Sequence, residues 1–244
     1  MKEIFSYNNS KKGWEMDFEN ITLPQEEELK NKADIVFVID NSQSMDPVKE
    51  EVKNHIKNLV KKLENEKVES RLGFLFYGHD EIYVKHFTEN VDNFLDAFKE
   101  VQTKDTGWNE FTVPSIDLAC DMKWRDGAHR YIVIFTNEDI YGGYEPDAQI
   151  EHFDRVLEKL QKMNIKVFYV GEDCDYYRKF KEVPNSMYIV TKDFKNLDFE
   201  ELFNSMAKSI SQSSIKKFES DDNVQKDIFN VRDFSTFMVR VFDI

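Results

Sequence analysis

The chain has 244 residues, long for one domain but within what a single doubly wound sheet with terminal extensions occupies. Hydrophobic residues make up 41% and aromatics 14%, including 21 Phe, which supplies a large core and excludes a disordered chain. The formal net charge of −14 argues against nucleic acid and anionic membranes, because neutralising phosphate takes clustered Lys and Arg, and it leaves a basic partner open.

Residues 1–13 carry Lys2, Lys11 and Lys12 without an apolar run, and no other stretch reaches bilayer-spanning length, so neither a signal peptide nor a membrane helix is expected. With only Cys120 and Cys174, a disulfide framework is not indicated, and a cytoplasmic location is the simplest expectation. The flank 1–32 reads as an N-terminal extension, in which alternation from Trp14 to Phe18 places Trp14, Met16 and Phe18 on one face.

Ala33 to Ile39 is a nearly continuous apolar, β-branched run, as expected of a parallel strand covered on both faces. Pro47 to Leu63 spaces Val48, Val52, Ile56, Leu59, Val60 and Leu63 as a helix, with Pro47 suited to its first turn. Arg71 to Tyr77 and Glu81 to Phe87, joined by Gly78-His79-Asp80, form an antiparallel hairpin that supplies an edge strand. Short helices follow at Asn93 to Val101 and Val113 to Trp124, separated by a loop from Lys104 to Glu110.

Tyr131 to Phe135 is a second wholly apolar strand, followed by a polar loop over 137–145. A helix from Asp147 to Met163 leads into a strand from Ile165 to Val170, then a strand from Ser186 to Val190 and a helix from Phe199 to Ile210. Strands alternating with helices predict a doubly wound α/β fold with a mainly parallel, six-stranded sheet covered on both faces. The domain spans 33–211. Residues 212–244 form a polar linker and an apolar tail, of which 234–244 suits a terminal strand. The apolar side chains of both flanks need burial, and the two are expected to meet at the amino end of the sheet, away from its ligand-binding edge, and to pair there.

Asp40-Asn41-Ser42-Gln43-Ser44 follows the central strand directly, at the carboxyl edge where open α/β sheets bind ligands. Alternate residues of an extended loop project to one side, so Asp40, Ser42 and Ser44 offer a carboxylate and two hydroxyls to one point. All-oxygen donors of this kind suit a hard divalent cation, Mg²⁺ first, with Mn²⁺ or Ca²⁺ as alternatives.

The run from Ile35 to Met45 resembles the metal-ion-dependent adhesion site (MIDAS) of von Willebrand factor type A domains, a Rossmann-like fold. Two later segments match the family in order: Thr106-Gly107-Trp108-Asn109-Glu110, and Trp124 to Ala128 leading into Ile132 to Thr136. The resemblance implies that a middle-loop residue and an Asp after the later strand complete the metal site. Here Glu110 fits the acidic form of the middle-loop ligand, with Thr112 as a neutral alternative. Asn137 stands where Asp is usual, with Glu138 and Asp139 as further candidates. Asp40 and Glu110 would then supply two negative charges and Asn137 a neutral oxygen. The resemblance further implies a non-enzymatic protein-binding subunit, meeting an acidic group of a partner through the metal, within an intracellular assembly that includes an ATPase or other component. Trp108, in the metal-proximal loop, is the expected partner contact.

Two other readings compete. The site has lost its metal and the domain is a scaffold, or the chain is a phosphatase. Val38 to Ser42 also resembles the nucleophilic loop of haloacid-dehalogenase-like phosphatases, with Asp40 as nucleophile, but Ser42 occupies the place of their acid and a hydroxyl of ordinary pKa cannot serve that proton transfer. His55, His79, His86, His129 and His152 are scattered without zinc-ligand spacing, and Cys120 reads as a small core residue.

Overall fold

The structure, a computed structural model, describes residues 5–8, 13–16, 31–78, 81–102, 111–141, 145–215 and 240–243. Two units emerge, Met1–Lys30 and Asn31–Ile244. In the first, β1 (Phe5–Asn8) and β2 (Gly13–Met16) pair antiparallel.

The second unit is built on β3 (Asn31–Asp40), which lies between β4 (Val68–Tyr77) and β6 (His129–Thr136) and runs parallel to both. Beyond β6 come β7 (Ile165–Gly171) and β8 (Met187–Val190), also parallel. On the other side β5 (Glu81–Thr88) turns back antiparallel to β4, as its hairpin predicts, and β9 (Arg240–Asp243) adds parallel to β5. The six expected strands are therefore present, and a seventh extends the edge.

Period-two alternation along β3 sends its residues into two separate cores. Ile35, Phe37 and Ile39 pack with α1 (Asp46–Asn65), α2 (Val91–Glu100) and α5 (Phe199–Ile215), while Val36 and Val38 pack with α3 (Thr112–Cys120) and α4 (Pro146–Lys162). Local signals set the helix starts: Pro47 and Pro146 occupy first turns, where no N–H is needed, and the Asn90 side chain accepts from the backbone N–H groups of Asp92 and Asn93.

Three boundaries differ from the sequence reading. The helix expected to reach Trp124 ends at Cys120, because Arg125 is drawn into the sheet: its Nε and backbone N–H donate to Asp34 at 2.8 Å each. The last helix continues through Ile215, past the expected linker start, since Ser211 is still buried beneath it. Among the described residues each flank contributes a strand, and the two strands pair elsewhere than with each other. β2 has a nearer partner in β1, only a short connection away, and β9 joins Glu81–Val84 of β5, whose unpaired backbone groups offered an open edge. That stretch of β5 lies beside Leu75–Tyr77, so β9 attaches along the carboxyl half of the sheet rather than the amino end. Phe18 and residues 234–239 lie outside the described residues.

At the amino end, fully buried Asp34 is the hub of an ionic knot. Arg71 donates to it through Nε at 3.0 Å and Nη2 at 2.6 Å, while Arg125 also bonds Glu69. Asp34→Ala leaves two largely covered guanidinium groups without their acceptor, and a loss of about 3–5 kcal/mol is expected in urea unfolding; a loss under about 1 kcal/mol would reduce the knot to a surface ion pair.

Lys166, only 3% exposed, donates to the Tyr131 hydroxyl at 3.1 Å and lies 4.9 Å from that ring. Burial pushes its ammonium down to about 8 and the Tyr131 hydroxyl up to about 12. Between about pH 8 and the ordinary lysine value near 10.5, the unfolded chain holds the proton that the folded chain has released, so this group's contribution to stability rises with pH across that window. Lys166→Met is expected to stabilise the protein at pH 7 by up to about 3 kcal/mol and to remove that rise; parallel stability curves for the two proteins from pH 7.5 to 10.5 would contradict it.

Candidate metal centre

Parallel pairing brings the ends of β3, β4, β6 and β7 to one edge, and four of the predicted residues, Asp40, Ser42, Ser44 and Asn137, meet there. Asp40 closes β3 and is fully buried. The chain then turns so that the Ser42 backbone N–H donates to Asp40 Oδ1 at 2.7 Å and the Ser42 hydroxyl donates to Oδ2 at 2.9 Å. Ser42 Oγ and Ser44 Oγ stand 2.9 Å apart. From the end of β6, Asn137 Nδ2 donates to Ser44 Oγ at 2.9 Å. Four residues drawn from two strand ends thus form one continuous polar chain.

The spacing bears on metal binding. In an octahedral Mg²⁺ site with bonds of about 2.0–2.1 Å, neighbouring ligand oxygens stand about 2.9 Å apart. The Asp40–Ser42 and Ser42–Ser44 oxygen pairs have that separation already, held by hydrogen bonds that a cation would replace. Asn137 Oδ1 supplies a second argument. It is buried and has no hydrogen-bond partner among the described residues, an acceptor left without the donor that burial normally demands. The residues present fit a hard cation, with one limit: among the described residues no three His, Cys, Asp or Glu side chains converge, so charge beyond Asp40 has to come from elsewhere.

The other named positions differ in what they do. Thr112 opens α3, buried, and its hydroxyl donates to the Tyr77 hydroxyl at 3.1 Å. Glu138 is half-buried beside the site, and its carboxyl is pushed above the usual range by burial and then by the like charges of Asp40, Asp139 and Glu172. Asp139 turns locally, accepting from the Tyr141 N–H at 2.9 Å. Glu110 and Trp108 lie outside the described residues.

Sequence reasoning passed over three contributors. Asn41 fastens the loop, donating from its backbone to Tyr77 O at 2.7 Å and from Nδ2 to Gln102 O at 3.1 Å. Lys49, almost fully buried, donates to Asn41 Oδ1 at 3.2 Å and pairs with Asp46 at 2.9 Å. Its signal was legible, because Lys49 shares a helical stripe with Val52 and Ile56, where a charge is out of place. Tyr77 carried no signal, since a core strand tyrosine looks the same whether or not its hydroxyl is used.

A doubly wound sheet with an oxygen-rich loop after its central strand is the arrangement in which open α/β folds place their ligand sites. The sequence profile described as von Willebrand factor type A domain matches residues 34–239, and the chain belongs to that family. No curated protein matches the chain. Among solved structures, the conserved hypothetical protein BatB from Bacteroides thetaiotaomicron aligns with 74% of this chain and 98% of its own, at 16% identity and a TM-score of 0.52. The VWA domain of SpRpn10 aligns with 71% of this chain and 94% of its own, at 17% identity and a TM-score of 0.53. Identities this low speak for a shared fold.

The expectation from the sequence that Glu110, and not Thr112, supplies the carboxylate that offsets the neutral Asn137 can be ranked directly. Glu110→Gln is accordingly expected to weaken Mg²⁺ binding by about tenfold, as removing one charged ligand does, and Thr112→Val by less. Calorimetric titration ranks the two, and the reverse order would reassign the middle-loop ligand.

Proposed function

We propose that this protein is a metal-dependent protein-binding module, which holds a divalent cation, Mg²⁺ first and Mn²⁺ or Ca²⁺ as alternatives, through Asp40, Ser42, Ser44, Asn137 and Glu110. The observation that carries the reading is the run of oxygens from Asp40 through Ser42 to Ser44, 2.9 Å apart at each step, together with the buried Asn137 Oδ1, which has no partner among the described residues. A cation held this way keeps a position open on the solvent side, where an acidic side chain of a partner completes its shell. Asp40 fixes the charge, the two serines set the geometry, and Asn137 ties the loop to the end of β6. The partner belongs to a larger cytoplasmic assembly, with an ATPase among the candidates, and Trp108 is its expected contact.

Phosphatase chemistry has less support. The residue two places after Asp40 is Ser42, and a serine hydroxyl cannot supply the carboxylic acid that such a reaction needs at that place. A metal-free scaffold is the stronger rival, and thermal unfolding separates the two. An ion that binds only the folded state at about one hundred times its Kd adds about 2.7 kcal/mol, roughly 5–10 °C for a chain of this size. Millimolar Mg²⁺ is expected to raise the Tm of the wild type by that order and to leave Asp40→Ala unmoved. Equal melting temperatures with and without the ion would establish the scaffold.

A further inference from the structure

The exposed surface next to the metal centre has a composition of its own. Tyr141 is the most exposed of the large apolar side chains among the described residues, at 57%, and its ring meets that of Tyr176 edge to face at 5.9 Å. Tyr141 lies in the loop after β6 and Tyr176 in the loop after β7. Those strands pair up to Thr136 and Gly171, so both loops leave the carboxyl edge on the side where Asn137 stands. Glu138 and Glu172 are the residues that follow these two strand ends, beyond Asn137 and Gly171.

Among the described residues the carboxylates of this region outnumber its cations. Arg178 is taken up by Asp173 and Asp175, and Lys179 is held by Asp154 at 2.6 Å over the rings of Tyr176 and Phe153. Neither the Glu138 nor the Glu172 side chain has a hydrogen-bond donor or a cation as partner among the described residues. An exposed aromatic face beside surplus carboxylates matches one chemistry above others. A guanidinium or ammonium gains from the ring quadrupole and from the negative field together, whereas an apolar side chain gains only from the ring and an anion is repelled.

We propose that the Tyr141 surface seats an Arg or Lys side chain of the same partner segment whose acidic group meets the metal, so that the recognised motif pairs an acid with a nearby base. This rests on the metal-binding reading above and adds the sign and place of a second contact. The acidic character of the chain as a whole steers such a segment toward this edge, which makes the association salt-dependent.

The experiment is selection of a displayed library of short random peptides on the full-length protein in Mg²⁺, followed by titration of the enriched peptides. The expected pool combines Asp or Glu with Arg or Lys a few residues away. Replacing the peptide's basic residue by Gln is expected to weaken binding by about threefold to tenfold. That penalty should vanish on Tyr141→Ala and shrink on Glu172→Gln, while dependence on the peptide's acid persists in both variants. Tyr141 is exposed enough for its truncation to leave the fold intact, which a melting curve confirms. Enrichment of acidic peptides without basic residues, or a basic residue whose contribution survives Tyr141→Ala, overturns this proposal and leaves the metal reading standing. Peptides that bind Asp40→Ala and wild type alike overturn the metal reading, and a pool with no enrichment overturns both.

Discussion

Everything at the recognition edge depends on the parallel pairing of β3 with both β4 and β6. Parallel neighbours require a crossover between them, and each crossover here is a helix-bearing connection that covers one face of the sheet. The strand is therefore enclosed on both faces from Ala33 to Asp40, its side chains divided between two cores, and the chain makes its exit from that core at the strand's carboxyl end. Asp40 sits at that exit. Its carboxylate is buried because the strand behind it is, and it is directed because the loop ahead of it folds back through Ser42 to satisfy it. The same constraint delivers Asn137 beside Ser44, since β6 ends level with β3.

How much of this was legible in the sequence follows from the range of the forces involved. The buried runs at 33–39, 131–135 and 165–170 announce parallel strands by composition alone, and the loop from Asp40 to Ser44 announces oxygen donors by spacing. Both are local patterns. The boundaries that moved were decided from a distance. Arg125 ends a helix early because an aspartate on another strand claims it, and Ser211 stays helical because its helix packs across α1. The placement of β9 was likewise invisible, because any open edge can accept a short apolar strand and nothing in the tail's own sequence names which.

The electrostatics of the edge gain meaning when its residues are taken together. With Asn137 where the family resemblance implies an acid, the proposed ligands on β3 and β6 carry a single negative charge, and the carboxylates of Glu138 and Glu172 follow the ends of β6 and β7. Negative charge is displaced outward, from the position that would hold a cation to the ground around it. Meanwhile Lys49, beneath the loop, is tied to Asn41 and Asp46, which places a fixed positive charge under the backbone of the turn after β3. The result is an edge whose potential is set by its surroundings as much as by its ligands.

The attachment of β9 also bears on how the molecule is made. Its partner strand emerges early in synthesis, yet the residues that cover that strand are almost the last of this sequence to leave the ribosome. During the interval the outer side of β5 carries unsatisfied backbone groups on an otherwise foldable sheet, the kind of surface that pairs with whatever strand arrives first. Lys85 lies on the part of β5 beyond the residues that pair with β9 among those described. A charged side chain at such a place discourages a stray strand from docking, and it guards the half-finished sheet until its own chain completes it.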